Sequence, residues 1–227
     1  MKAVATILIR VALFVIICFV LYQASEARLT PGVNLAIIFA GVLFTYPAVW
    51  IGRRILDRNH TDRHAVWTTT FVHFSLGFTF GVPLVRALVT HEAWRFWLVP
   101  IPPEIGYALV IVTGAASALV VLTLALRGFG APFFIVLSRR LAVDWLYAWT
   151  RNPMVLAGLA FFFSLGVWFQ SAAFLVWVAV IFTPAMLFFL KVFEERELEF
   201  RFGASYVEYR SRTPMLWPRR PHARVSL

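Results

Sequence analysis

Long apolar runs alternate with short polar stretches along the whole chain. Val4–Tyr22, Val33–Ile51, Ala65–Leu88 and Ile105–Leu126 are each long enough to cross a bilayer as a helix, which takes about 20 residues. From Pro153 to Phe193 the chain is almost wholly apolar and is broken only at Gln170-Ser171, so this stretch reads as two spans folded into a tight hairpin. The pattern predicts an all-α polytopic membrane protein of about six transmembrane helices. Between the spans lie a turn at Thr30-Pro31-Gly32, a charged loop over Arg53–His64 and an irregular stretch over Arg127–Asn152. Glu92–Glu104 carries Trp94, Trp97 and three prolines, a composition suited to the headgroup layer. At Glu194 the composition switches to a charged, helix-forming tail that ends in a Pro/Arg-rich segment.

The first run is longer than the apolar core of a signal peptide, although Ala24-Ser25-Glu26-Ala27 imitates a cleavage site. Arg10 lies two turns into that run, within snorkelling distance of the headgroups. Gly77 and Gly81 have the GxxxG spacing that lets another helix approach closely, from the same chain or a second one.

Composition agrees with a membrane solvent. Hydrophobic residues make up 61% of the 227 and charged residues 14%, against about 45–50% and 25% in soluble domains. Mean hydropathy is +0.79, which excludes a disordered chain or a soluble enzyme on a small anchor. The net charge of +10 would suggest nucleic acid in a soluble domain, but here it sits in the loops between apolar runs. There it fits the positive-inside bias and anionic headgroups, and no nucleic-acid partner is expected. Four Arg stand against two Asp in the Arg53–Arg63 loop, and four Arg against one Asp in Arg127–Arg151. Both loops fall on one side, so six spans place both termini, the tail and the polar clusters on the cytoplasmic face. The single cysteine, Cys18, lies inside the first span, so the chain forms no internal disulfide and no cysteine-based zinc site.

His60 and His64 have the i,i+4 spacing of two metal ligands, but no carboxylate or cysteine completes a set, and no metal is expected. His73 stands alone in the third span, where a histidine serves as a relay or bonds a neighbouring helix. Three other clusters carry more. Gly128-Phe129-Gly130-Ala131-Pro132 follows the fourth span and allows close backbone approach to a ligand. Trp149-Thr150-Arg151-Asn152-Pro153-Met154 re-enters the membrane at a helix N-terminus, where backbone N–H groups and the Arg151 fork suit a carboxylate or phosphate. Glu194 and Glu195 are adjacent carboxylates at a membrane surface, a pair stabilised when a cation sits against it. Glu197 and Arg201 follow at i,i+4, as in a salt-bridged surface helix.

Taken in order, Gly128–Pro132, Arg151–Met154, Glu194–Glu195, Arg201–Tyr209 and Pro214–Arg219 resemble the membrane methyltransferases that include isoprenylcysteine carboxyl methyltransferase and phospholipid N-methyltransferase. The resemblance runs from about Leu126 to Arg220 and leaves the first half matching only in hydrophobicity. It implies S-adenosyl-L-methionine as cofactor, held between the last spans and the tail. Carried over residue by residue, it implies cofactor contacts from Gly128, Gly130, Arg151, Asn152, Pro153, Met154, Glu194 and Glu195. Arg201, Tyr206 and Tyr209 would close the pocket from the tail. Arg151, Asn152, Glu194 and Glu195 are the residues placed at the reaction. Asn152 stands where many members have His, and Val155-Leu156-Ala157-Gly158 replaces a common Tyr-Gly, so no histidine base is available at that position.

The resulting expectation is methyl transfer to a lipophilic acceptor within the membrane, a carboxylate or an amine. Residues 1–126 would form the acceptor side and residues 127–227 the catalytic half. Two other readings are an NADPH-dependent reductase resembling the steroid 5α-reductases and a lipid-binding protein without activity. An acidic pair is a poor receptor for dinucleotide phosphates, which favours methyl transfer.

Overall fold

The computed structural model describes residues 2–58, 61–95, 97–128 and 141–220. Among them there are helices and no strand. Helix α1 spans Lys2–Glu26, α2 Pro31–Leu43, α3 Thr45–Arg58, α4 Asp62–Thr79 and α5 Gly81–Val89. After a 3₁₀ turn at His91–Trp94, α6 covers Pro103–Thr123 and runs into a π turn at Leu124–Gly128. Then come α7 (Leu146–Trp149), α8 (Pro153–Trp168) and α9 (Ala172–Trp177). A π turn at Val178–Phe182 leads into α10 (Thr183–Phe189), and another at Leu190–Glu194 into α11 (Glu195–Phe202). Helix α12 covers Ala204–Arg212.

Among the described residues, five helical stretches are long and apolar enough to cross a membrane: Thr6–Glu26, Pro31–Arg58, Arg63–Val89, Pro103–Leu126 and Ala172–Phe202. The sixth expected span, α8, has only 16 residues. At 1.5 Å per residue it is about 24 Å long, short of a hydrocarbon core of about 30 Å. The other arm of the hairpin overshoots instead. Counting about 20 residues of bilayer from Ala172 reaches Lys191, so the carboxylates that begin at Glu194 emerge at the membrane boundary.

Helix also extends where charge suggested a loop. The second span continues past Ile51 to Arg58 because Arg53 pairs with Asp57 one turn on and donates to the Val192 carbonyl at 3.1 Å. The hairpin arm likewise runs past Phe193 to Phe202 without a break. Its π turn at Val178–Phe182 precedes Pro184, which has no N–H for the regular ladder.

The core gathers Ile38, Val42, Val49 and Val72 around Phe174, Trp177, Phe182, Phe189 and Phe193, all buried. Apolar side chains on the outer surface, such as Leu8, Phe19, Ile111, Val112 and Val180, are exposed, as a lipid solvent requires. Gly77 and Gly81 pack within the chain: a Cβ would come 2.5 Å from Ile17 Cδ1 at Gly77 and 2.9 Å from Leu21 Cδ2 at Gly81. Small residues there let α1 lie flush against α4 and α5. Helix α6 packs chiefly on α8, which ties it to the C-terminal half. The hairpin corner is stitched to the interfacial segment by Val99 N–H to the Gln170 carbonyl (3.1 Å) and Ala172 N–H to the Trp97 carbonyl (3.0 Å).

Candidate active site

The site forms where the short α7, the start of α8, the α11 carboxylates and the tail meet. Thr150 is extended between the two helices, and Pro153 takes the first position of α8, where its missing N–H costs nothing. Asn152 precedes it without capping α8 by its side chain. Its amide Nδ2 donates instead to the Met215 carbonyl at 3.0 Å. Three more bonds fasten the same stretch of tail. Thr150 Oγ1 donates to the Met215 carbonyl (3.0 Å), Arg151 N–H to the Pro214 carbonyl (2.9 Å) and Arg219 N–H to the Trp149 carbonyl (3.0 Å). Residues 213–219 therefore form a strap across the α7–α8 junction.

Arg151 projects beneath that strap. Its Nη2 pairs with Glu195 and its Nη1 donates to the Arg210 carbonyl at 3.0 Å. The pair is well shielded, with side-chain exposures of 10% and 15%, so neither charge is left to water. Arg151 Nε is buried and has no partner. A buried donor without an acceptor is costly unless a ligand supplies one. Glu194, half-buried at the end of the π turn, has no hydrogen bond or ion pair among the described residues. The site thus holds two carboxylates, one of them neutralised, and a guanidinium with a spare donor.

The tail supplies the wall. Gly203, at φ +54°, turns the chain between α11 and α12 in a conformation that side-chain-bearing residues avoid. Helix α12 then folds back and buries Tyr206 and Tyr209. Tyr209 donates to the Tyr147 carbonyl at 2.6 Å and packs edge-on against Tyr206. Burial pushes the phenols of Tyr147, Tyr206 and Tyr209 well above their usual range, reinforced by Glu194 at Tyr147 and by Glu195 at Tyr206. They remain neutral hydrogen-bonding groups near pH 7. Beside the strap lies a cavity of about 510 Å³, bounded by Leu187 of α10 and residues 214–219.

A second polar network holds α11 against the N-terminal helices. Glu197, 4% exposed, pairs with Arg201 at 3.0 Å and accepts from Thr69 Oγ1 at 3.3 Å. Arg10 of α1 donates to Thr70 Oγ1 at 3.1 Å. At the surface, Arg196 bridges Asp57 (3.1 Å) and Glu199 (3.7 Å), and Arg210 reaches Glu199 at 3.2 Å.

The structure thus brings together Arg151, Asn152, Pro153, Glu195, Tyr206 and Tyr209, with Glu194 one residue from the ion pair. Arg201 is turned toward Glu197 and α4. Gly128 closes the π turn after α6; Gly130 lies outside the described residues, as does His60. His64 Nε2 lies 3.1 Å from the Ile55 carbonyl, and His73 Nδ1 2.9 Å from the Thr69 carbonyl. Sequence reasoning passed over Tyr147 and the strap carbonyls. Their role is carried by backbone groups, which no residue type announces, although Pro214–Arg219 was legible as a motif.

The fold and this cluster define a polytopic helical membrane protein with an acidic–arginine site at the foot of its last hairpin. Residues 103–205 match the family model described as phospholipid methyltransferase, so the C-terminal half of the chain is similar to that family. The matched segment takes in α6 and ends before the strap. No curated protein and no solved structure matched the chain.

Proposed function

We propose that the protein transfers a methyl group from S-adenosyl-L-methionine to the carboxylate or amine of a lipophilic acceptor, in the manner of the isoprenylcysteine carboxyl methyltransferases. The observation that carries this is the charge pattern of the site: an uncompensated Glu194 beside a guanidinium with an unused donor. That donor set fits a ligand bearing cations and a carboxylate on one small frame. Arg151 Nε and the N-terminus of α8 would hold the carboxylate, and Glu194 the cationic part. When bound, the cofactor supplies a methyl on a sulfonium, so its C–S bond breaks as the new C–O or C–N bond forms and the electron pair stays on sulfur.

The chain's own contribution is positioning and dehydration. The strap and α12 cover the site from the tail side, and the Arg151–Glu195 pair fixes the guanidinium. A carboxylate acceptor needs no base. With an amine, the proton passes to Glu194, Glu195 or water. The cofactor would come from the cytosol, the side that the loop charges predict for the tail, and the acceptor from the bilayer, with residues 1–126 forming much of its side.

The test is incubation of detergent-purified protein with methyl-labelled S-adenosyl-L-methionine and a total membrane lipid extract. Label moving into the organic phase, at least tenfold less in Glu194→Gln, is expected. Protein that transfers no label but oxidises NADPH with enone lipids would overturn the proposal.

A further inference from the structure

At the membrane face opposite the strap, α2, α5 and the first turns of the last hairpin arm enclose a cavity of about 570 Å³. That is within the range of small-ligand sites, about 300–1,000 Å³. Its walls are apolar except at one end, where Arg86, Asn34 and Thr90 converge. Arg86 is 4% exposed. Its Nε donates to Asn34 Oδ1 at 2.7 Å, and its Nη1 to the carbonyls of Ala24 (2.7 Å) and Ala27 (2.9 Å). Asn34 is fixed in turn by Nδ2 donating to Thr90 Oγ1 at 3.0 Å.

All these partners are neutral. Among the described residues no carboxylate pairs with Arg86 and nothing accepts from its Nη2. A buried guanidinium held in a fixed orientation, with a full charge and a fork still open, calls for an anion. The apolar walls call for a hydrocarbon chain. Leu35, Val176 and Val180 on the rim are exposed, so the cavity opens sideways to the bilayer.

We infer that this cavity binds one anionic phospholipid, with its phosphate on Arg86 and an acyl chain along Trp177 and Ile181. The methyl acceptor is the wrong occupant. Ile181 and Glu194 are 13 positions apart, about 20 Å of helix, so an acceptor reacting at the strap would bring its tail, not its charge, to this cavity. The inference concerns a second site and stands whatever reaction the first one performs.

Native mass spectrometry of the full chain in detergent tests it, with phosphatidylglycerol, phosphatidylcholine, palmitate and methyl phosphate as separate probes. One phosphatidylglycerol should be retained at least tenfold more tightly than phosphatidylcholine, and methyl phosphate or palmitate alone should bind weakly. Binding should fall at least tenfold in Arg86→Gln. It should fall equally in Val180→Trp, which fills the cavity from its lipid-facing rim and leaves the Arg86 bonds intact. Arg151→Gln, on the other face, should bind as wild type does. Equal retention of the two phospholipids, palmitate binding as tightly as phosphatidylglycerol, or retention unchanged in Val180→Trp would overturn the inference.

Discussion

At the residue scale, the site turns on how Arg151 divides its donors. Nη2 is committed to Glu195, Nη1 to the Arg210 carbonyl, and Nε to nothing. Removing the guanidinium would leave Glu195 shielded and unpaired, a loss of about 3 kcal/mol at the lower end for breaking a buried pair. Arg151→Gln should therefore lower the thermal unfolding midpoint in detergent by several degrees. Replacing both partners, as Arg151→Met with Glu195→Leu, should restore most of that loss while abolishing activity. A double variant no more stable than the single one would show that the pair is not the source. Glu194, Glu195 and Arg151 were legible in the sequence because adjacent carboxylates and an Arg-Asn-Pro at a membrane boundary are chemically unusual. Which carboxylate takes the arginine was not legible, since the π turn at Leu190–Glu194 resets the facing of everything after it.

At the element scale, the strap decides whether the site is covered. Residues 213–219 have no apolar period and read as an irregular end, yet four hydrogen bonds to Trp149, Thr150, Arg151 and Asn152 hold them across the α7–α8 junction. Such bonds depend on backbone carbonyls, which is why pattern alone could not find them. A chain ending at Arg212 should keep its helical circular dichroism and lose methyl transfer at least tenfold. Full activity in that truncation would remove the strap from the site. The spans themselves were read well from hydropathy. Their ends were not, because Arg53–Asp57 and Arg196–Asp57 ion pairs carry helix into charged sequence that resembles a loop. Likewise the Gly77/Gly81 stripe was visible in the sequence, and only the packing assigned it to α1.

For the whole molecule, five long helices and the short α8 separate two polar ends. One carries the strap site, and the other carries the Arg86 cavity and the stitched hairpin corner. The loop charges predict an orientation in which the strap end, with the Arg53–Arg63 loop, faces the cytoplasm. In a Cys18→Ser background, a membrane-impermeant maleimide applied to intact cells should label Ser25→Cys and not Ser211→Cys. Labelling of Ser211→Cys alone would invert the topology and cut the site off from a cytosolic cofactor.

The most direct measurement is calorimetric binding of S-adenosylhomocysteine to the detergent-purified full chain and to its Glu194→Gln variant, with NADPH as comparator. Methyl transfer through this site predicts micromolar binding of the adenosyl ligand to wild type, weakened at least tenfold by Glu194→Gln, and no binding of NADPH. Equal affinity in the two proteins, or binding of NADPH alone, would contradict it.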